Sequence, residues 1–138
     1  MRHILCVAII SSTISLGCLS QEQVSTPEAR TAVFSAQISP EQLPDLAKQG
    51  FRSVINNRPD FEGGDRQPTS VAIGAAAQAA GLQYVYQPVV SGQITPADVE
   101  TFAQHYNALP KPVLMFCRSG SRASSLYQMA QARKLIAP

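Results

Sequence analysis

Six consecutive residues, Cys117-Arg118-Ser119-Gly120-Ser121-Arg122, bring together a thiol, two guanidiniums, two hydroxyls and a glycine. A cysteine attacks an electrophile only as its thiolate, so such work at neutral pH needs surroundings that stabilise the negative sulfur. A tight turn from strand to helix supplies them. With Gly120 free to take a positive φ, successive amides converge into a nest aligned with the positive end of the following helix. Arg122 adds a planar fork that can hold two oxygens of a tetrahedral anion. Cys117 is therefore expected as nucleophile and Arg122 as its catalytic partner, with Arg118, Ser119, Gly120 and Ser121 completing the anion cradle. The matching substrate is a small anion: thiosulfate, a persulfide or a phosphate ester. A buried, inert cysteine followed by an ordinary polar turn is the competing account.

Stepping outward, "KPVLMF" ahead of Cys117 is an apolar run of strand length, and "RASSLYQMAQARKLIA" behind it is a helix. Upstream, "TAVFSAQIS", "FRSVINN" and "LQYVYQPVV" read as strands. Helices alternate with them. Ser39, Pro40 and Gln42 start one that Gly50 ends, with Pro44 either in its first turn or marking a short, tight helix; "TSVAIGAAAQAAG" is a second; Thr95, Pro96 and Asp98 open a third, with Asp98 completing a capping box. Alternating strands and helices predict an α/β fold, a single three-layer domain whose mostly parallel sheet of four to five strands is flanked by helices. Ligands of such sheets sit at the carboxyl ends of the strands, where Cys117 stands.

The 138 residues leave room for one domain. Residues 1–20 place Arg2 and His3 ahead of an uncharged apolar run, the pattern of a secretion signal, which predicts an exported, periplasmic protein. "SLGC" is also an imperfect lipobox, so lipidation of Cys18 would anchor the chain to a membrane. Residues 21–31 read as a flexible spacer and 32–138 as the domain. Once the signal is removed, Cys117 is the free thiol of a domain with no disulfide framework. Lys and Arg number 11 against 9 Asp and Glu, a near balance that gives no argument for nucleic acid as partner. No cofactor is called for, and too few soft ligands exist for a zinc site. Oligomeric state is not legible.

"INNRPD" (Ile55 to Asp60), "PVVSGQITPADV" (Pro88 to Val99) and "CRSGSR", in that order, resemble the beta-lactamase-hydrolase-like protein family. The resemblance implies a fold similar to dual-specificity phosphatases, and activities described either as phosphatase or as rhodanese-type sulfur transfer. Such phosphatases usually carry one more residue between Cys and Arg than the four found here, and a His where Phe116 stands. The shorter loop is similar to that of rhodaneses. The leading expectation is therefore a rhodanese-type sulfurtransferase passing sulfane sulfur through a Cys117 persulfide. The alternatives are a phosphatase-like hydrolase forming a Cys117 phosphoenzyme and a non-catalytic anion-binding domain.

A phosphatase also benefits from a carboxylic acid beside the leaving oxygen. Asp60 and Asp98 are the candidates, with Glu62 and Asp65 in the same loop as Asp60, although Asp98 doubles as a helix cap. Arg58 either faces the anion or pairs with Asp60 or Glu62. A hydroxyl from Ser124 or Ser125 could reach the sulfur. His105 lies mid-helix, and Tyr84 and Tyr86 share one strand face as packing residues.

Overall fold

The computed structural model of the chain describes residues 30–138; the expected signal, the lipobox and nearly all of the spacer lie outside these residues. Four strands form one sheet: β1 (Ala32–Ser35), β2 (Ser53–Asn56), β3 (Gln83–Tyr86) and β4 (Val113–Phe116). They pair in the order β1-β4-β2-β3, and every pairing is parallel. The two central strands, β2 and β4, are buried at all positions, as strands covered on both faces must be. β1 and β3 form the edges.

The helices are α1 (Leu43–Lys48), preceded by a 3-10 turn over Pro40–Gln42, α2 (Ser70–Ala79), α3 (Pro96–Ala108) and α4 (Ser121–Ala132). Their starts follow the side chains expected. The Thr69 Oγ1 accepts from the Ala72 amide at 3.2 Å, and Thr95 and Asp98 close a reciprocal capping box. Pro44 cannot donate a backbone hydrogen bond, and the segment around it divides into the 3-10 turn and the short α1.

Strand order decides which face each helix covers. The chain moves in one direction from β1 over β4 to β2 and on to β3, so right-handed crossovers put α1 and α2 on one face; the return to β4 puts α3 on the other. The core divides accordingly. Leu43, Leu46, Ile73 and Ala77 pack with Val54, Leu114 and Phe116, whereas Val99, Phe102, Tyr106, Ala123 and Leu126 pack with Ile55, Val113 and Met115. Adjacent strands β2 and β4 thus send their following segments to opposite faces. The crevice opened between those diverging loops is where an α/β sheet presents a ligand site.

Phe102 is fully buried between α3 and the sheet. Phe102→Ala is expected to cost about 3–5 kcal/mol, read as a lower urea midpoint with an unchanged denaturant slope.

Candidate active site

β4 ends at Phe116 and α4 begins at Ser121, so the backbone must reverse over four residues. Gly120 makes this possible twice over. It caps α4 at φ 94°, and a Cβ there would lie 3.1 Å from the Ser35 carbonyl oxygen at the end of β1. Any larger residue is both strained and crowded. The Gly120 amide donates to the Cys117 sulfur at 3.1 Å.

Cys117 is only 1% exposed and free of disulfide bonding. Burial, the largest single influence, pushes its thiol up; hydrogen bonds from the amides of Ala123, Ser119, Gly120 and Arg122 together outweigh it and hold the pKa below the ordinary cysteine value. The sulfur therefore faces peptide N–H groups as well as hydrocarbon.

Arg122, in the first turn of α4, is 7% exposed and turned inward. Its Nη1 donates to the carbonyls of Val89 at 2.7 Å and Asn57 at 3.2 Å. Its Nη2 pairs with the Glu62 carboxylate at 3.0 Å. The remaining Nε is buried with no hydrogen-bond partner among the described residues. One donor of the guanidinium is thus held in place and unspent.

Glu62 holds a second cation. The Arg58 Nε lies 3.1 Å from it, and Arg58 Nη1 donates to Gln37 Oε1 at 3.1 Å. Gly63 lets Arg58 in, since a Cβ there would stand 2.7 Å from Arg58 Nη2. Of the two readings of Arg58, the ion pair with Glu62 is the geometry found. For Glu62 burial is again the largest influence, upward, but the hydrogen bonds and charges of Arg122 and Arg58 overcome it and leave the carboxyl below its usual range. It stays ionised at neutral pH, which removes it as a proton donor.

The other candidate acids have structural work. Asp60 accepts from the Ser70 amide and hydroxyl, both at 2.7 Å, and so fixes the start of α2. Asp98 Oδ2 accepts from the Thr95 amide at 2.8 Å in the capping box of α3. Asp65 is exposed. Arg118, Ser119 and Ser121 are exposed on the loop, with the two serine hydroxyls 2.9 Å apart. Ser124 Oγ accepts from Gln128 further along α4, and His105 sits in the last turn of α3. Tyr84 and Tyr86 do more than pack: the Tyr84 hydroxyl accepts from Asn56 Nδ2 and the Tyr86 hydroxyl from the Asp60 amide.

Three residues at the site escaped the sequence reading. Asn57 is fully buried; its amide donates to the Phe116 carbonyl at 2.9 Å and its Nδ2 to the Gln87 carbonyl at 3.1 Å, tying β4 and the segment after β3 to the Arg122 anchor. Gln87 extends this tie by donating to the Asp98 carbonyl at 2.9 Å. Gln37 braces the loop from the β1 side, its amide donating to the Arg118 carbonyl at 3.2 Å. The available signal was a pair of polar residues, "NN", following directly on an apolar strand.

Residues 25–134 match the family described as beta-lactamase hydrolase-like protein, phosphatase-like domain. The chain belongs to that family. The match begins inside the segment read as a spacer. Beta-lactamase hydrolase-like proteins of Xylella fastidiosa (strain Temecula1 / ATCC 700964) and Agrobacterium fabrum are 39% and 42% identical over 98 and 90 residues, covering 71% and 65% of the chain. The matched region spans only 22% and 21% of those longer relatives. A provisionally named phosphatase from Neisseria meningitidis superposes with a TM-score of 0.70 at 33% identity, covering 76% of this chain and 74% of that one. TpbA of P. aeruginosa, solved in complex with phosphotyrosine, shares the fold at a TM-score of 0.55 and 18% identity over 73% of this chain and 57% of its own. The neighbours establish a phosphatase-like fold.

Two outcomes follow from the geometry of this family member. Gly120→Ala should displace the loop amides from the sulfur; alkylation of Cys117 by iodoacetamide, followed against pH, should show a midpoint below that of the same cysteine in the denatured chain, and a higher one in the variant. Glu62→Gln should destabilise the fold by about 1–3 kcal/mol at pH 7. Because the folded pKa of Glu62 lies below the reference of 4.5, its contribution is complete above that pH and is lost as pH falls through the folded value. Thermal melts of parent and variant should therefore converge in acid.

Proposed function

We propose that this domain hydrolyses phosphate monoesters through a Cys117 phosphoenzyme. The observation that carries the reading is the pairing of a sulfur approached by converging amides with a buried Arg122 whose Nε has no partner among the described residues. The likeness to the Neisseria meningitidis protein, at 33% identity, supports it. The phosphatase-like family model and the phosphatase structures among the neighbours favour this over the sulfurtransferase expected first. The four-residue spacing from Cys117 to Arg122 remains the one feature on the side of sulfur transfer.

In this mechanism the thiolate attacks phosphorus, an S–P bond forms and the ester P–O bond breaks, releasing the alcohol or phenol oxygen with its electron pair. Arg122 Nε and the loop amides carry the charge of the equatorial oxygens, and exposed Arg118 raises the local positive potential. Water then cleaves the S–P bond, returning the thiolate and releasing phosphate. Arg58 acts as a positioning residue through Glu62. The acid role goes to neither Asp60 nor Asp98, since each carboxylate already serves a helix start, and the leaving oxygen takes its proton from water. Export to the periplasm, with lipidation of Cys18 as its anchored form, is proposed from residues 1–20 alone.

The purified protein should turn over p-nitrophenyl phosphate. Cys117→Ser should abolish turnover, and Arg122→Ala should lower kcat by about 10²–10³. Cyanide-dependent loss of thiosulfate without phosphatase turnover would transfer the assignment to the sulfurtransferase, and inertness toward both substrates would leave an anion-binding domain.

A further inference from the structure

All four strands run parallel, so their amino ends share one edge of the sheet, opposite to Cys117. That edge is basic. Arg52 and Lys111 line one depression together with Thr31, Gly50 and Pro112, and Lys134 lines a second that also includes Thr31. Arg30 directly precedes Thr31. Lys111 is partly spent, its Nζ donating to the carbonyls of Tyr106 and Leu109. Arg52 and Lys134 are exposed and form no ion pair among the described residues. The acids lie elsewhere. Glu41, Asp60, Glu62, Asp65 and Asp98 follow the carboxyl ends of strands, and the others within 30–138, Asp45 and Glu100, are paired with Lys48 and Arg133.

Lys134 is kept at this edge at a conformational cost. It follows α4 at φ 57°, a left-handed geometry in which glycine is the usual residue, and its amide donates to the Gln131 carbonyl at 2.9 Å. A lysine retained and exposed where glycine would be less strained points to use of its charge.

Charge segregation alone names no partner, but the sequence supplies one. The uncharged apolar run from Ile4 to Leu19 ends eleven residues before Arg30, and an extended chain of that length reaches at most about 40 Å. A bilayer that holds this run is therefore confined close to the basic edge, at a high effective concentration. The connecting residues include Glu22 and Glu28, so attraction to an anionic surface falls to the folded edge and not to the tether.

We propose that the amino edge of the sheet, through Arg30, Arg52, Lys111 and Lys134, docks on the anionic headgroups of the bilayer holding the N-terminal apolar run. Docking there turns the Cys117 edge toward water and water-soluble substrates. The inference rests on the anchored form of the chain proposed above and is independent of the reaction at Cys117. Each basic side chain near such a surface favours docking by about fivefold, and salt weakens the attraction.

The chain contains no tryptophan, so a single introduced indole reports which edge meets the lipid. The full-length protein is reconstituted into vesicles with brominated acyl chains, of phosphatidylcholine alone or mixed with phosphatidylglycerol. Gln49→Trp, at an exposed position beside Gly50, should be quenched in the mixed vesicles and much less in phosphatidylcholine or at high salt. Ser119→Trp, at the opposite edge, should stay bright in both. Adding Arg52→Gln and Lys134→Gly, the second of which relieves the left-handed backbone, should lower the docked-to-undocked ratio about thirtyfold. Equal quenching of Gln49→Trp in the two lipids, quenching unmoved by loss of the two charges, or stronger quenching of Ser119→Trp would overturn the docking and leave the anchor standing. Failure of the chain to associate with either kind of vesicle would overturn the anchored form and the docking with it.

Discussion

The carboxyl edge of this sheet is organised around one charge that has been taken out of water. Burying a guanidinium costs several kcal/mol unless its donors are matched, and a half-matched arrangement is worse than none. Arg122 meets the condition at both of its terminal nitrogens, with two main-chain carbonyls and a carboxylate, and leaves only Nε unmatched among the described residues; the acceptors come from two loops, Asn57 and Glu62 between β2 and α2, and Val89 after β3. Holding the arginine therefore holds the loops. The same carboxylate ties in Arg58, and Arg58 ties in Gln37 beside β1. Loops that would otherwise be independent become one rigid rim.

That rim explains how a 1% exposed sulfur can be both buried and ionisable. Burial alone would favour the neutral thiol. The turn between β4 and α4 reverses the balance because its peptide groups have nowhere else to point, and Gly120 can pack against Ser35 only by lacking a side chain. The crevice position follows from topology, since β2 and β4 are neighbours whose following segments leave in opposite directions. The fold and the convergence of peptide amides on the sulfur are thus consequences of one strand order.

Much of this was legible in the amino-acid sequence. Alternating patterns located all four strands and the helices, because hydrophobic periodicity and capping residues act locally; Thr69, Thr95 and Gly120 announce their positions through chemistry confined to a few neighbours. Cys117 and Arg122 were legible for the same reason. The local pair of Glu62 with Arg58 was legible as one of two readings, but the hold of Glu62 on Arg122 and the roles of Asn57, Gln87 and Gln37 were not, because each rests on a partner at least 21 residues away in the chain, as in the contact between Gln37 and Arg58. Composition placed Glu62 among the candidate acids, but only its two arginine neighbours reveal that it must remain charged. Strand ends were overextended: "LQYVYQPVV" continues the alternation past Tyr86, whereas β3 ends at the Asn56–Tyr86 pair and only single amide bonds, from Gln87 to the Asn56 carbonyl and from Val89 to the Asn57 carbonyl, follow it.

The position of β4 between β1 and β2 bears on how the molecule is assembled. β2, α2 and β3 are consecutive in the chain, and β2 pairs directly with β3. β1, by contrast, pairs with β4 alone, some 80 residues later in register from Ala32 to Val113. The last strand lies between β1 and β2, both of which precede it in the chain. The thiol, carried just past the end of that strand, has its loop amides about it only with β4 seated and α4 formed, so an unfolded chain carries an ordinary cysteine.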